Sequence, residues 1–416
     1  MKFRIGVNER PSFGATLLYG AQWLMICIPV VLTSTFIAPE GEVVLFTQKL
    51  FAIMGATMII QTLWGHRLPL VAGPATVLLM GILAARNAGA STEAIYPSIA
   101  LGGVVISILA VSGLLKKITP IFTPRIVVAI VLLIAFTMTK PILGMIFSDT
   151  AHIGTSFIFA IAGVCVMALA NRLLKGVWKS MVVILAMIVG ALTYYSLTSF
   201  PTELTTDSVE GSLLLGGVKF DAGVVIAFCF CYIALLINEV GSVQSLGEFI
   251  EADNMERRRS RGMLFTGLMN IVGGACGIPG PVDYSLSPGI VASTSCASRY
   301  TILPAAVAMI VLAFCPTAVA FLLTIPTPVM GVVLLYLMAT QVAAGLHLMH
   351  DTNAAPRFQE AIILAIPIMF TVILSFAPKA VSEAIPELLR PIVGNSFVMG
   401  IIIILILEHL LLKEKK

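Results

Sequence analysis

The feature that most constrains this chain is a succession of apolar stretches, each close to the length that crosses a bilayer. A spanning segment takes about 20 mostly apolar residues, fewer where it is broken or tilted, and by that measure roughly fourteen stretches qualify. They run approximately over 15–38, 44–64, 70–85, 95–115, 122–140, 151–172, 178–198, 221–246, 261–276, 282–297, 300–323, 326–346, 358–376 and 392–412. Composition agrees with that pattern, because 58% hydrophobic residues, 11% charged residues and a mean hydropathy of +1.02 do not suit a soluble globule of 416 residues. The expected fold class is therefore an all-α membrane protein with lipid as its solvent.

The net charge of +4 is sorted by loop rather than spread. Lys2, Arg4 and Arg10, then Arg67, Lys116, Lys117 and Arg125, then Arg172, Lys175 and Lys179, Arg257 to Arg261, Arg299, Arg357 and Lys413 to Lys416 all fall on alternate loops. The opposite loops carry only Arg86, Lys140, Lys219, Lys379 and Arg390, and none lies between Glu203 and Glu210. Positive charge gathers on the cytoplasmic side, so both termini are expected there, in a cell inner membrane. The charge thus reports topology and gives no reason to expect nucleic acid. The seven cysteines sit mostly in apolar runs without metal-ligand spacing and read as small packing residues. Met1 to Pro11 is polar and basic, and the apolar run behind it is too long and too far in for a cleaved signal, so an uncleaved chain is expected.

Two stretches resist being continuous helices. One contains Leu68-Pro69-Leu70-Val71-Ala72-Gly73-Pro74-Ala75-Thr76, the other Gly277-Ile278-Pro279-Gly280-Pro281-Val282-Asp283-Tyr284-Ser285-Leu286-Ser287-Pro288-Gly289. Proline and glycine at this density break a helix, whereas proline at a first helical position starts one. Each reads as an extended piece followed by a half-helix beginning near Pro74 or Pro288. Thr123-Pro124-Arg125-Ile126-Val127-Val128-Ala129 is echoed by Thr327-Pro328-Val329-Met330-Gly331-Val332-Val333, and the two broken stretches, the third and the tenth, echo each other at a similar offset. Seven spans per copy makes the two halves inverted repeats, and broken helices at matching places in such repeats point to a midplane transport site.

Acidic residues at membrane depth are candidates for function, and two stand out: Glu239, near the cytoplasmic half of its stretch, and Asp283, in the extended piece of the tenth. Low dielectric disfavours a charged carboxyl, so either could carry a proton; the alternative is a carboxylate that caps a half-helix or pairs locally. The half-helix N-termini offer backbone donors to a carbonyl or an anion. Thr76, Ser285 and Ser287 lie beside them, as ligand contacts or as bonds within the protein. Gln22 is a lone amide, either a ligand contact or a link between helices. His347, His350 and Asp351 look like a metal trio, but the polarity of the loop they border explains them, and no metal is expected. No Gly-x-x-x-x-Gly-Lys-Ser/Thr loop is present, which argues against ATP-driven transport within the chain.

Over nearly its whole length the sequence resembles the nucleobase/ascorbate transporter family, also called nucleobase-cation symporter 2, which includes uracil, xanthine and urate permeases. The most specific match is Ile325-Pro326-Thr327-Pro328-Val329-Met330-Gly331-Val332, which is similar to the family's twelfth-helix signature. Gln22, Thr123-Pro124, Lys175-Gly176 with Ile188-Val189-Gly190, and Arg257-Arg258 with Arg261-Gly262 support it. The resemblance implies a core domain of 1–117 and 201–323, a gate domain of 118–200 and 324–416, a homodimer, and proton-coupled import of a nucleobase or related heterocycle with no other cofactor. It places the substrate site at Gln22, Ala75, Thr76, Asn238, Glu239, Ser242, Leu286 and Ser287, with Glu239 and Asp283 coupling protons. Four positions depart from the family's pattern. Its base-holding glutamate aligns with Asn238, its Glu or Gln of the tenth span with Leu286, its Gln-His pair reads Gln22-Trp23, and an aromatic is replaced by Thr76. An anion carrier on the same inverted-repeat scaffold is the alternative. A receptor or scaffold gives no reason for broken helices.

Overall fold

The computed structural model describes residues 5–114, 123–175, 177–198, 212–284, 287–386 and 389–411. Leu286, Ser285, Lys116, Lys117 and the 203–210 loop lie outside these residues.

The chain is mostly helical. Helices α1 (Phe13–Leu32) and α2 (Val43–Leu63) lead to a short strand, β1 (Val71–Pro74), and a short helix, α3 (Thr76–Asn87). Next come α4 (Thr92–Val111), α5 (Pro124–Thr137), α6 (Thr139–Ile146), α7 (Ile153–Leu173) and α8 (Val182–Leu197). In the second half α9 (Ala222–Phe249) and α10 (Met255–Ala275) lead to β2 (Pro281–Tyr284) and α11 (Ser287–Thr294). Helices α12 (Leu303–Ala313), α13 (Pro316–Leu322), α14 (Thr327–Asp351), α15 (Phe358–Ser375) and α16 (Ser396–Ile406) complete it.

The same chemistry opens several of these helices. Asp221 accepts from the Val224 amide at 3.0 Å to cap α9, and Asn395 accepts from Phe397 and Val398 to cap α16. Thr123 caps α5 ahead of Pro124, and α14 likewise carries proline in its first turn, so the two echoed Thr-Pro segments start helices.

Among the described residues, eight helices are long and apolar enough to cross a membrane, or nine if a bent pair counts as one. The remaining expected stretches form shorter or more polar helices, notably α3, α8, α11, α16 and α10 with its run of arginines. The 300–323 stretch, read from sequence as one span, is that bent pair: Arg299–Ala313 and Pro316–Leu322 meet at 102°. Pro316 lacks the amide needed to continue the ladder, which ends the first piece.

Helix α4 packs on α10, α2 on α12, and α9 on α3 and α4. A second set is built on α14, which packs on α5, α6 and α7, with α15 and α16 against α5. Close approach of α4 and α10 depends on small residues, since a Cβ on Gly103 would lie 2.6 Å from the Gly267 carbonyl oxygen. The faces of α7 that bear Phe157, Ile158, Ile161 and Leu169 are exposed.

Candidate functional site

Strands β1 and β2 pair antiparallel in the register Val71 with Tyr284, Ala72 with Asp283, Gly73 with Val282 and Pro74 with Pro281. Short extended segments buried in the protein cannot satisfy their backbone with solvent, and pairing with each other meets that need. The Ala75 amide continues the ladder by donating to Gly280 at 3.0 Å. Gly73 is packed so tightly between Val30 and the Tyr284 ring that a Cβ would collide with both. Helices α3 and α11 each start just beyond a strand end, at Thr76 and Ser287.

A cavity of about 210 Å³ opens beside the strands. Thr76 and Val77 come to its wall from α3, Asn238 from α9, Tyr284 from β2, Thr33 and Ser34 from the turn that follows α1, and Thr340 and Gln341 from α14. The wall is therefore assembled from both packing sets. Its polar groups are hydroxyls and amides, able to donate to and accept from an uncharged or weakly charged heteroatom edge. A larger groove of about 1200 Å³ between α1 and α12 is almost wholly apolar and suits lipid better than a polar solute.

Glu239 follows Asn238 but faces away, into a network whose members are 1% exposed or less. Its Oε1 accepts from Thr266 Oγ1 at 2.7 Å and its Oε2 from the Asp283 amide at 2.9 Å. Gln61 Nε2 donates to Thr266 Oγ1 at 2.8 Å and to the Gly262 carbonyl at 2.9 Å. The Leu68 amide donates to His66 Nδ1 at 2.9 Å, so a neutral ring carries its proton on Nε2. That nitrogen lies 3.0 Å from Asp283 Oδ2, though off the axis of a hydrogen bond. Arg258 donates to the carbonyls of His66 at 2.9 Å and Arg67 at 3.1 Å, holding the turn in which Arg67 takes a left-handed φ of 57°. Two carboxyls and an imidazole thus share one buried compartment behind the cavity.

The residues singled out from sequence divide accordingly. Thr76 and Asn238 are on the cavity wall; Glu239 and Asp283 are in the network behind it. Ser287 accepts from the Val71 amide at 3.0 Å and so ties α11 to β1. Ala75 is buried at the start of α3, and Ser242 is buried on α9 one turn beyond Asn238. Gln22 is buried off the cavity wall, and its Nε2 has no hydrogen-bond partner among the described residues. His347 pairs with Asp351 at 2.9 Å on the exposed end of α14, and no group of three or more metal-ligating side chains occurs among the described residues.

Sequence reasoning did not find His66, Thr266, Gln61, Thr340 or Gln341. His66 carried a usable signal, as one of only five histidines and placed in the turn feeding the first broken stretch. The others look like ordinary polar positions on helices.

Residues 14–380 match a family model described as a permease family. A protein of Clostridium perfringens provisionally named a purine permease is 26% identical over 308 residues, 72% of this chain and 67% of that protein. The xanthine permease of Bacillus subtilis is 20% identical over 415 residues, covering 94% of this chain and 92% of its own. Among solved structures, the transmembrane domain of the cyanobacterium bicarbonate transporter BicA is similar with a TM-score of 0.67 at 13% identity, over 89% of this chain and 98% of that one. At that identity the likeness concerns the fold alone.

Proposed function

We infer that this chain, which belongs to the permease family, is a secondary transporter of a nucleobase or related small heterocycle; it is a multi-pass membrane protein and not an enzyme. The observation that carries the reading is the cavity where Thr76 at the start of α3 and Asn238 meet helix α14 of the other packing set. A heterocycle offers donors and acceptors on one edge and apolar faces, and this wall combines hydroxyls, amides and aliphatic side chains. Asn238, Thr76, Ser242, Ser287 and Gln22 are proposed to serve substrate recognition, directly or by shaping the pocket.

The finer parts of the reading are ours as well. The chain crosses an inner membrane fourteen times as two inverted halves with cytoplasmic termini, the third and tenth crossings being broken. The core comprises 1–117 and 201–323, and the gate 118–200 and 324–416, in a homodimer. Support comes from the two packing sets, which divide the helices in that way. Proton coupling is assigned to Glu239 and Asp283 with His66, since chains of acidic and imidazole groups inside a membrane protein are the usual carriers of protons.

An anion carrier remains the second reading, favoured by the likeness in fold to a bicarbonate transporter. The named relatives favour the first. Thermal stabilisation of the purified protein separates them: uracil, xanthine or urate should raise the melting temperature and sulfate or bicarbonate should not. Stabilisation by the inorganic anions alone would reverse the choice.

A further inference from the structure

The apolar groove between α1 and α12 ends on a pair of arginines. Its floor is the line where the two helices touch, since a Cβ on Gly20 would stand 2.6 Å from Pro304 Cβ. Leu17 and Leu24 of α1 face Val307 and Val311 of α12 across it, and Leu17, Val307 and Val311 are exposed. From Phe13 to Ile28 the α1 side covers fifteen residues, about 22 Å along the helix. One leaflet of a bilayer's hydrocarbon core is about 15 Å deep. The groove is therefore long enough for an acyl chain to lie along it.

Arg10 is the one charged residue of the wall among the described residues, and it is held in place. The segment ahead of it runs beside the turn before α12. There the Ala297 amide donates to the Ile5 carbonyl at 3.0 Å, the Arg299 amide to the Val7 carbonyl at 3.1 Å and Ser298 Oγ to the Glu9 carbonyl at 2.6 Å. The Arg10 guanidinium lies 4.8 Å from the centre of the Tyr300 ring, and the Arg299 guanidinium lies 4.8 Å from the same ring. One tyrosine thus gathers two cations at the mouth of the groove.

Neither arginine forms an ion pair with a carboxylate among the described residues. Arg299 donates to the Thr62 carbonyl and to Tyr300 Oη, both at 2.9 Å, and its buried Nε has no hydrogen-bond partner among the described residues. Glu9, the nearest acid in sequence, accepts from the Gly6 amide at 2.9 Å. Residues 1–4 add two basic residues and no acidic one.

An acyl chain that leaves the bilayer for this groove exchanges one apolar surrounding for another, so tails alone give little selectivity. The headgroup decides. Guanidinium forks match the oxygens of a phosphodiester. A headgroup without a cation of its own leaves the phosphate charge to the arginines, whereas choline or ethanolamine brings a competitor. A second copy of the chain fits less well, because a two-fold axis along the membrane normal would set the arginines of both copies at one level, cation against cation.

We propose that this groove binds an anionic phospholipid, with its phosphate at Arg10, Arg299 and Tyr300 and one acyl chain along α1 and α12. The inference goes beyond the transport reading and does not depend on which solute the chain carries.

Purified protein stripped of lipid in a neutral detergent is titrated with dioleoyl phosphatidylglycerol, dioleoyl phosphatidylcholine or inorganic phosphate while the melting temperature is followed. Phosphatidylglycerol should raise it at lower concentration than phosphatidylcholine, and phosphate should leave it unchanged. Arg10 is exposed, so substitutions there spare the packed core. Arg10→Gln should raise the half-maximal concentration of phosphatidylglycerol about two- to fivefold, the range for one exposed charge interaction. Arg10→Glu should raise it further and Arg10→Lys less, and added salt should narrow the gap between the two lipids. Val307→Trp, at an exposed position of the wall, should weaken both lipids with Arg10 in place. Equal titration of the wild type by the two lipids, a preference that survives Arg10→Glu, or stabilisation by phosphate alone would overturn the proposal. Indifference to Val307→Trp would overturn it as well, since the acyl chain would then lie elsewhere.

Discussion

A step of one residue along a helix turns the side chain by about 100°, and that turn separates Asn238, on the cavity wall, from Glu239, in the network behind it. The two substitutions should therefore fail differently. Asn238→Ala removes a donor and an acceptor from the wall and should weaken ligand binding by about 1–3 kcal/mol, read as a raised KM or Kd. Glu239→Gln keeps the shape of the side chain while removing its proton exchange. It should abolish accumulation driven by a pH gradient yet leave exchange of labelled for unlabelled substrate, and retention of full accumulation would remove Glu239 from the coupling path. At this scale the sequence disclosed the acids, because a lone Glu or Asp in an apolar run is conspicuous. It did not disclose their partners: nothing about Thr266 or Gln61 within a helix shows that both converge on the same carboxylate.

The two broken segments were legible as elements, since proline and glycine leave few options and the extended piece plus short helix follows. That the pieces would pair as strands was not legible, because the pairing joins residues about 210 positions apart in a register only the fold sets. The bend between α12 and α13 was missed although Pro316 marked it, because the apolar run on both sides of that proline has the summed length of one span. Helix pairs are held by equally specific contacts. Gly267→Ala would put a Cβ 2.8 Å from the Gly103 carbonyl oxygen and force α4 and α10 apart. The cost should be about 1–3 kcal/mol, seen as a lower melting temperature, while Gly144→Ala, where nothing lies within 4 Å, should change little. In the turn before α7, the Tyr194 hydroxyl, 2.8 Å away, holds the Asp149 carboxyl below the usual carboxylate range, with His152 adding to the effect. A lowered value means that the contact is fully present above the ordinary pKa of about 3.9 and is lost only as pH falls through the lowered one. Asp149→Asn should therefore reduce thermal stability at neutral pH, and the gap from the wild type should close in strong acid. A gap independent of pH would show that the carboxylate charge plays no part.

For the molecule as a whole, the succession of apolar stretches made the membrane class readable without any tertiary contact, and the alternation of basic and non-basic loops is the ground for the expected sidedness. The substrate was not readable in the same way. Four positions of the site depart from the resembled family, and the cavity takes Thr340 and Gln341 from a helix far along the chain. Both packing sets contribute to the cavity wall, so sliding one against the other would alter access to it, as alternating access requires. The central claim is that a heterocycle passes through this cavity. Counterflow in proteoliposomes loaded with unlabelled uracil, xanthine or urate measures it most directly, with Asn238→Ala alongside and sulfate and bicarbonate as competing cargo. The account predicts transient accumulation of at least one labelled heterocycle, diminished by Asn238→Ala; counterflow confined to the inorganic anions would contradict it.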